Sequence, residues 1–355
     1  MHHPPSTAPD RAALSTVVLA PDTLSISLRN AATMPAHQID PVDKLISSGV
    51  PLDRPFDYRT AADAGLDNRV LMRLVRAGLL TRPLRGVYLA HGIEETLDVR
   101  VECVRLVLPP RCVITDRTAA WLHGASSALA PNDHLVVPRV SAFHVPHHRL
   151  NNSRTASGAR GLLRTDVTDI EGLPVTTPLR TACDMGRLLR RDSALAGLDG
   201  LLRLAVFTID ELVAETTRFR GFRGVRQLRA LVPLADAGSE SFGESALRLR
   251  WHDAALGVQP ETQIVVRRPS TGEWARLDLG CTTYRFAAEY DGEQFHGADQ
   301  VDHDVRRRSW IQDELGWVIG VYRRSDVFGA KADASARLHG ELSRAKLLSQ
   351  RASAY

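Results

Sequence analysis

The feature that most constrains the fold is a succession of short segments in the last third of the chain. In order they are "ESALRLRWHDAAL", "TQIVVRRP", "WARLDLGCTT", "YRFAAEYDG", "DQVDHDVRRRSWIQDELG", "WVIGVYR" and "ASARLHGELSRAK". The first, fifth and last are long and carry helical patterns, and the rest are short β-type runs bounded by turn residues. Helix, three strands, helix, strand, helix is the plan of one α/β domain of about 100 residues. Ser241, followed three residues later by Glu244, predicts a capping box at the first of these helices.

Strand alternation then places the acidic groups. Arg276, Asp278 and Gly280 are expected on one face of their strand, with Leu277 and Leu279 on the other. In the next strand Ala287, Glu289 and Asp291 share a face opposite Phe286, Ala288 and Tyr290. If the two strands form a hairpin, the β-carbons of Asp278 and Glu289 lie within about 5–8 Å. Like charges so close favour a shared divalent cation, and carboxylate oxygens suit Mg²⁺ (or Mn²⁺). Asp278 and Glu289 are therefore the candidate metal ligands and Glu244 a third acid, with His296 placed after a turn as a proton carrier. Arg306, Arg307 and Arg308 follow on a helix, and Arg307 is the candidate phosphate contact. The bland reading of the same residues is a solvated, acidic hairpin end.

Nearer the N-terminus, "YRTAADAGLDNRVLMRLVRAGLL" reads as helix, turn at Gly65 and helix, with Val70, Leu71, Leu74 and Val75 forming an apolar stripe. The following "TRPLRGVYLA" reads as a β-ribbon, which gives the order of a winged helix-turn-helix. Its outward face carries Asn68, Arg69, Arg73 and Arg76, and the ribbon carries Arg82 and Arg85. Polar groups at a helix N-terminus reach base edges, and arginines on a wing meet phosphates. The expected organisation is a low-order tail over 1–38, the winged helix over 39–92, a mixed α/β region over 93–237 and the last domain over 238–348. In the mixed region Pro178 suits the first turn of a helix. The histidines at 144, 147 and 148 have no acid or cysteine spaced to complete a metal site, so the region is assigned a structural role.

These patterns resemble two known families. "ESALRLRW", "PETQIVV", "ARLDLG", "FAAEYDGEQFHG" and "DHDVRRRSWIQDELGWVIGVYR" are similar to the very-short-patch-repair-like (Vsr-like) branch of the PD-(D/E)XK nuclease superfamily, over about the last third of the chain. That resemblance implies a restriction-endonuclease-like fold and a metal-dependent DNA endonuclease, with active-site acids at Asp278, Glu289 and Glu244 and further site residues at Asp291 and His296. The chain departs from the pattern at Asp291, which stands where the superfamily has a lysine. "AADAGLDNRVLMRLVRAGLLTRPLRGVYLAHG", "ITDRTAAWLHGA" and "GLPVTTPLRTACDMG" resemble AbiEi-like antitoxins, which implies DNA binding and a cognate toxin partner.

Composition sets outer limits. The net charge of +4 is modest, but the basic residues are overwhelmingly arginine, which suits contact with an anionic polymer. Four scattered cysteines include no close pair to suggest a zinc knuckle or a disulfide scaffold, and no apolar run reaches the length of a membrane span. The expectation is a cytoplasmic α/β multidomain protein that binds DNA. Its last domain is then either a Mg-dependent endonuclease or the structural part of a non-enzymatic, antitoxin-like repressor.

Overall fold

The computed structural model describes residues 41–125, 138–144, 155–156, 160–292 and 298–352. The tail expected over 1–38 lies outside the described residues. The remainder is a multidomain mixture of helices and three sheets.

The first unit contains α1 (Pro41–Ser47), β1 (Phe56–Asp57), α2 (Tyr58–Asp63), α3 (Asn68–Arg76), β2 (Leu80–Thr81) and β3 (Val87–Ala90). Asp57 caps α2, accepting the Thr60 N–H at 2.9 Å, and Asp67 caps α3 through the Val70 N–H at 2.8 Å. Gly65 and Gly78 punctuate the helices at φ +79° and +72°, a region that glycine enters without steric cost. Leu66, Leu71, Leu74 and Leu80 are fully buried with Phe56 and Tyr88. The strands pair antiparallel in the order β1-β3-β2.

The expected boundary at residue 92 is not a gap in packing. Leu84 and Val87 leave the first core and join a second one with Val101, Val104, Ile114, Trp121 and Val175. The Arg85 N–H also donates to Pro138 O at 2.8 Å. This second region runs through α4 (Leu97–Arg105), β4 (Cys112–Ile114), α5 (Asp116–Leu122), β5 (Val140–His144), β6 (Thr155–Ala156), β7 (Val167–Ile170) and β8 (Leu173–Thr176). Its five-stranded sheet has the order β6-β5-β4-β8-β7, with both parallel and antiparallel pairs. A helical layer follows: α6 (Pro178–Leu188, with Pro178 in its first turn), α7 (Arg191–Leu202), α8 (Ile209–Glu215) and α9 (Val225–Leu231).

The last region follows the helix and strand order read from the sequence. It comprises α10 (Phe242–Asp253), β9 (Glu261–Arg267), β10 (Trp274–Cys281), β11 (Phe286–Asp291), α11 (Ala298–Leu315), β12 (Val318–Arg323), α12 (Arg324–Val327) and α13 (Ala334–Ala352). The sheet order is β12-β11-β10-β9; β12 runs parallel to β11 and the other pairs are antiparallel. One face packs on α10 and α13 through Ala246, Trp251, Ala288 and Leu338. The other packs on α11 through Leu277, Ala287, Trp310 and Ile311, and Trp310 and Trp317 are core residues. Gly243 is required where α10 crosses β11, because a Cβ there would lie 2.0 Å from the Tyr290 ring.

Helix α10 also belongs to the middle region. Leu249 sits in its apolar core, and Arg248 donates to Asp199 at 2.6 Å in full burial. All four cysteines are free and buried, and burial pushes the Cys103 and Cys183 thiols up to about 12. No helix among the described residues is long and apolar enough to cross a membrane.

Candidate nucleic-acid interface and carboxylate site

Helix α3 presents its polar side to solvent. Asn68, Arg69, Arg73 and Arg76 are exposed, while Leu71 and Leu74 fix the opposite side in the core. The spacing of Arg69, Arg73 and Arg76 puts three guanidinium groups on one stripe, and none makes an ion pair among the described residues. On the ribbon the two arginines differ in exposure. Arg82 is half-buried, lies over the Tyr88 ring at 5.8 Å and points Nη1 at Met72 Sδ at 3.5 Å. Leu84 beside it anchors the ribbon tip in the second core. Arg85 remains exposed.

The second constellation gathers at the junction of α10, β10 and β11. Strict alternation predicts Leu277 and Leu279 on one face of β10, yet Leu277 packs towards α11 and Leu279 towards α10 and α13. The face switches at Asp278. Opposite it, Gln263 of β9 adopts φ +54°, a left-handed conformation that lets both strands turn over together. A flat strand would have pointed Asp278 squarely away from the leucines. Instead its Oδ2 accepts the Tyr290 N–H at 3.0 Å. Burial, then Glu244 and Glu289, push its carboxyl from 3.8 to about 7.

Glu244 departs from the capping box expected of it. Its own N–H donates to Ser241 Oγ at 3.1 Å, but its carboxylate accepts from the Glu240 N–H at 2.8 Å and from Gln263 Nε2 at 3.1 Å. Burial raises its pKa, against the lowering pull of the hydrogen bonds from the Glu240 N–H and Ser241. Glu289, buried on β11, is held by two guanidinium groups from α11. Its Oε2 accepts from Arg307 Nη2 at 3.0 Å and Arg308 Nε at 2.9 Å. Its Oε1 lies 2.8 Å from Arg307 Nη1 without the geometry of a hydrogen bond, so its lone pairs retain capacity for another partner. Arg307, expected at a phosphate, is thus turned inward. Asp291 stands beside Arg323 at 3.6 Å, and His296 lies outside the described residues.

Hard carboxylate oxygens, a buried acid with a raised pKa and an oxygen lacking a hydrogen bond are a donor set compatible with Mg²⁺. The described residues nevertheless contain no group of three or more His, Cys, Asp or Glu side chains arranged to hold a metal. The two arginines already supply much of the compensating charge at Glu289.

A third constellation joins residues that the sequence shows only as separate runs. Asp184, fully buried on α6, pairs with Arg160 at 3.0 Å, Arg180 at 3.0 Å and Arg187 at 2.7 Å. Arg160 also grips Asp116 with both Nη atoms at 2.5 and 2.8 Å, and Asp166 joins Arg180 at 2.6 Å to Arg218 at 2.5 Å. Arg180, Arg187 and Arg218 all lie against the Phe219 ring. Asp116 adopts φ +51° at the start of α5 to make its contact.

Two uncharacterised proteins of Mycobacterium tuberculosis align with most of the chain: MT2308 of strain CDC 1551 / Oshkosh and Rv2248 of strain ATCC 25618 / H37Rv. Each is 32% identical over 278 residues, covering 77% of this chain and 96% of theirs. The chain belongs to their family. Within this family member, residues 112–234 match the model of the AbiEi antitoxin C-terminal domain.

That match contains the whole Arg160–Asp184–Arg180 network. The sequence signal was present in "PLRTACDMGR", where Arg180, Asp184 and Arg187 recur at four and three residues along a helix. Such spacing usually marks a solvated face. Only burial against Phe219, with Arg160 and Asp166 brought in from other segments, turns it into a core of charge.

Proposed function

We propose that this family member is a DNA-binding regulator of antitoxin type that recognises duplex DNA through α3. The observation that carries the reading is the exposed stripe of Arg69, Arg73 and Arg76, with Asn68 at the helix N-terminus. In this reading Asn68 contacts base edges, and the arginines contact base edges or phosphates. The AbiEi-type domain adjoining this unit supports the same reading, and with it a cognate toxin as protein partner. The test is binding to random-sequence and upstream-region duplexes across a salt series. Replacing Arg69 and Arg73 with alanine is expected to weaken binding and to lower the salt slope by about one for each phosphate that is no longer neutralised. Equal slopes for variant and wild type would sink this assignment.

A second reading is favoured by the convergence of Glu244, Asp278 and Glu289 on a helix, three strands, helix and strand ordered as in a restriction-endonuclease-like domain. In this reading the last domain hydrolyses DNA phosphodiesters. Asp278 and Glu289 would hold Mg²⁺ or Mn²⁺, which when bound would supply the charge that polarises a phosphate, and Glu244 and Asp291 would complete the polar surround. His296 serves proton transfer. The purified chain is incubated with supercoiled DNA and either cation, beside a D278A/E289A control. Nicking no greater than that of the control rejects hydrolysis and leaves the regulator reading in place.

A further inference from the structure

The hairpin of β9 and β10 leaves part of one face uncovered. Ile264, Val266, Ala275 and Leu277 are buried against α11 on one side. On the opposite side Val265 and Trp274 are 63% and 64% exposed. The register sets Trp274 directly across from Arg267 and Val265 across from Arg276, so these four side chains form one compact patch.

An exposed tryptophan is costly to leave in water, and its neighbours narrow what can cover it. Arg267 is exposed and makes no ion pair among the described residues. Arg276 gives Nη2 to Glu240 at 2.6 Å and keeps nearly half of its side chain exposed. Its carbonyl accepts from Arg307 Nη1, which ties this strand to the clamp on Glu289. A π-face bracketed by arginines matches a polymer that alternates flat bases with phosphates. A duplex keeps its base faces stacked inside, whereas a single strand presents them. Asp278 follows Trp274 by four residues, ~13 Å along the strand.

We infer that the Trp274–Arg267 face of the hairpin binds single-stranded DNA, stacking a base on Trp274, setting phosphates on Arg267 and Arg276, and leading the strand to Asp278. The inference rests on the reading of the protein as DNA-directed. It assigns to the last domain a contact separate from α3, whether or not that domain cuts.

The test uses the full chain and a fluorescent oligothymidine of about 20 nucleotides, read by anisotropy. W274A is expected to weaken binding about ten-fold, W274F to recover most of it, and R267A to weaken it with a shallower salt slope. Duplex binding is followed in parallel with R69A/R73A. Loss of duplex binding there, with oligothymidine binding retained, separates the two contacts and supports the assignment. Unchanged oligothymidine binding in W274A and R267A would overturn it, whatever the duplex result. So would a W274A change in sedimentation from oligomer to monomer with oligothymidine binding intact, because the patch would then be a contact between copies.

Discussion

Replacing Asp278 with asparagine should stabilise the protein in a pH-dependent way. The Asp278 carboxyl is pushed from 3.8 to about 7 by burial and by Glu244 and Glu289. Below about pH 4 the group is protonated in folded and unfolded chains alike, so it contributes no pH dependence. Between about 4 and 7 the folded chain holds a proton that the unfolded chain has released, so stability falls as pH rises. Above about 7 the full cost of ionisation is present. At ~1.4 kcal/mol per pH decade the ceiling is ~4 kcal/mol. An effective dielectric constant nearer 20 than 4 brings the expected gain to ~2 kcal/mol at pH 8. Asparagine cannot ionise, and its carbonyl oxygen can still accept the Tyr290 N–H. Urea unfolding followed by tryptophan fluorescence suits the measurement, since Trp251, Trp274, Trp310 and Trp317 all lie in the last region. The variant should match wild type near pH 4 and exceed it at pH 8. A variant less stable at pH 8, or a gap that does not change with pH, would refute a repelling carboxylate cluster at this site.

Three further outcomes follow from the packing. E289Q removes the charge that holds Arg307 and Arg308, and should cost about 2–3 kcal/mol in urea unfolding; an unchanged midpoint would show that the arginines are solvated elsewhere. D184N leaves Arg160, Arg180 and Arg187 without their common partner in a buried site, and a loss of about 3–5 kcal/mol is expected, read as a lowered melting temperature. G243A would normally gain ~1 kcal/mol inside a helix. Here the new methyl group meets the Tyr290 ring, so a loss of about 1–3 kcal/mol is expected in the same unfolding assay.

Much of the local structure was legible in the residues themselves. Gly65 and Gly78, the caps at Asp57 and Asp67, and the Leu71/Leu74 stripe specify two helices and their turn by rules that act within a few residues. The same holds for the order of helix and strand after Ser241, which alternation and helical spacing encode. Those signals also put Glu244, Asp278 and Glu289 on neighbouring elements, and the folded chain brings their charges within reach of one another.

What tertiary structure alone decided is where each charge ends up. Period-two alternation assumes an unbroken strand, so it put Leu277 and Leu279 on one face, whereas β9 and β10 turn over together at Gln263 and send the two leucines to different cores. The ribbon arginine Arg82 packs over the Tyr88 ring and against Met72, contacts that spacing along the chain does not show. Arg307 turned inward because Glu289, eighteen residues earlier, is buried beneath α11. The network around Asp184 joins Asp116, Arg160 and Arg218, residues spread over about a hundred positions. Spacing along a chain predicts which side of a helix or strand a residue occupies, but burial and pairing between distant segments decide whether its charge meets water, a partner or a ligand.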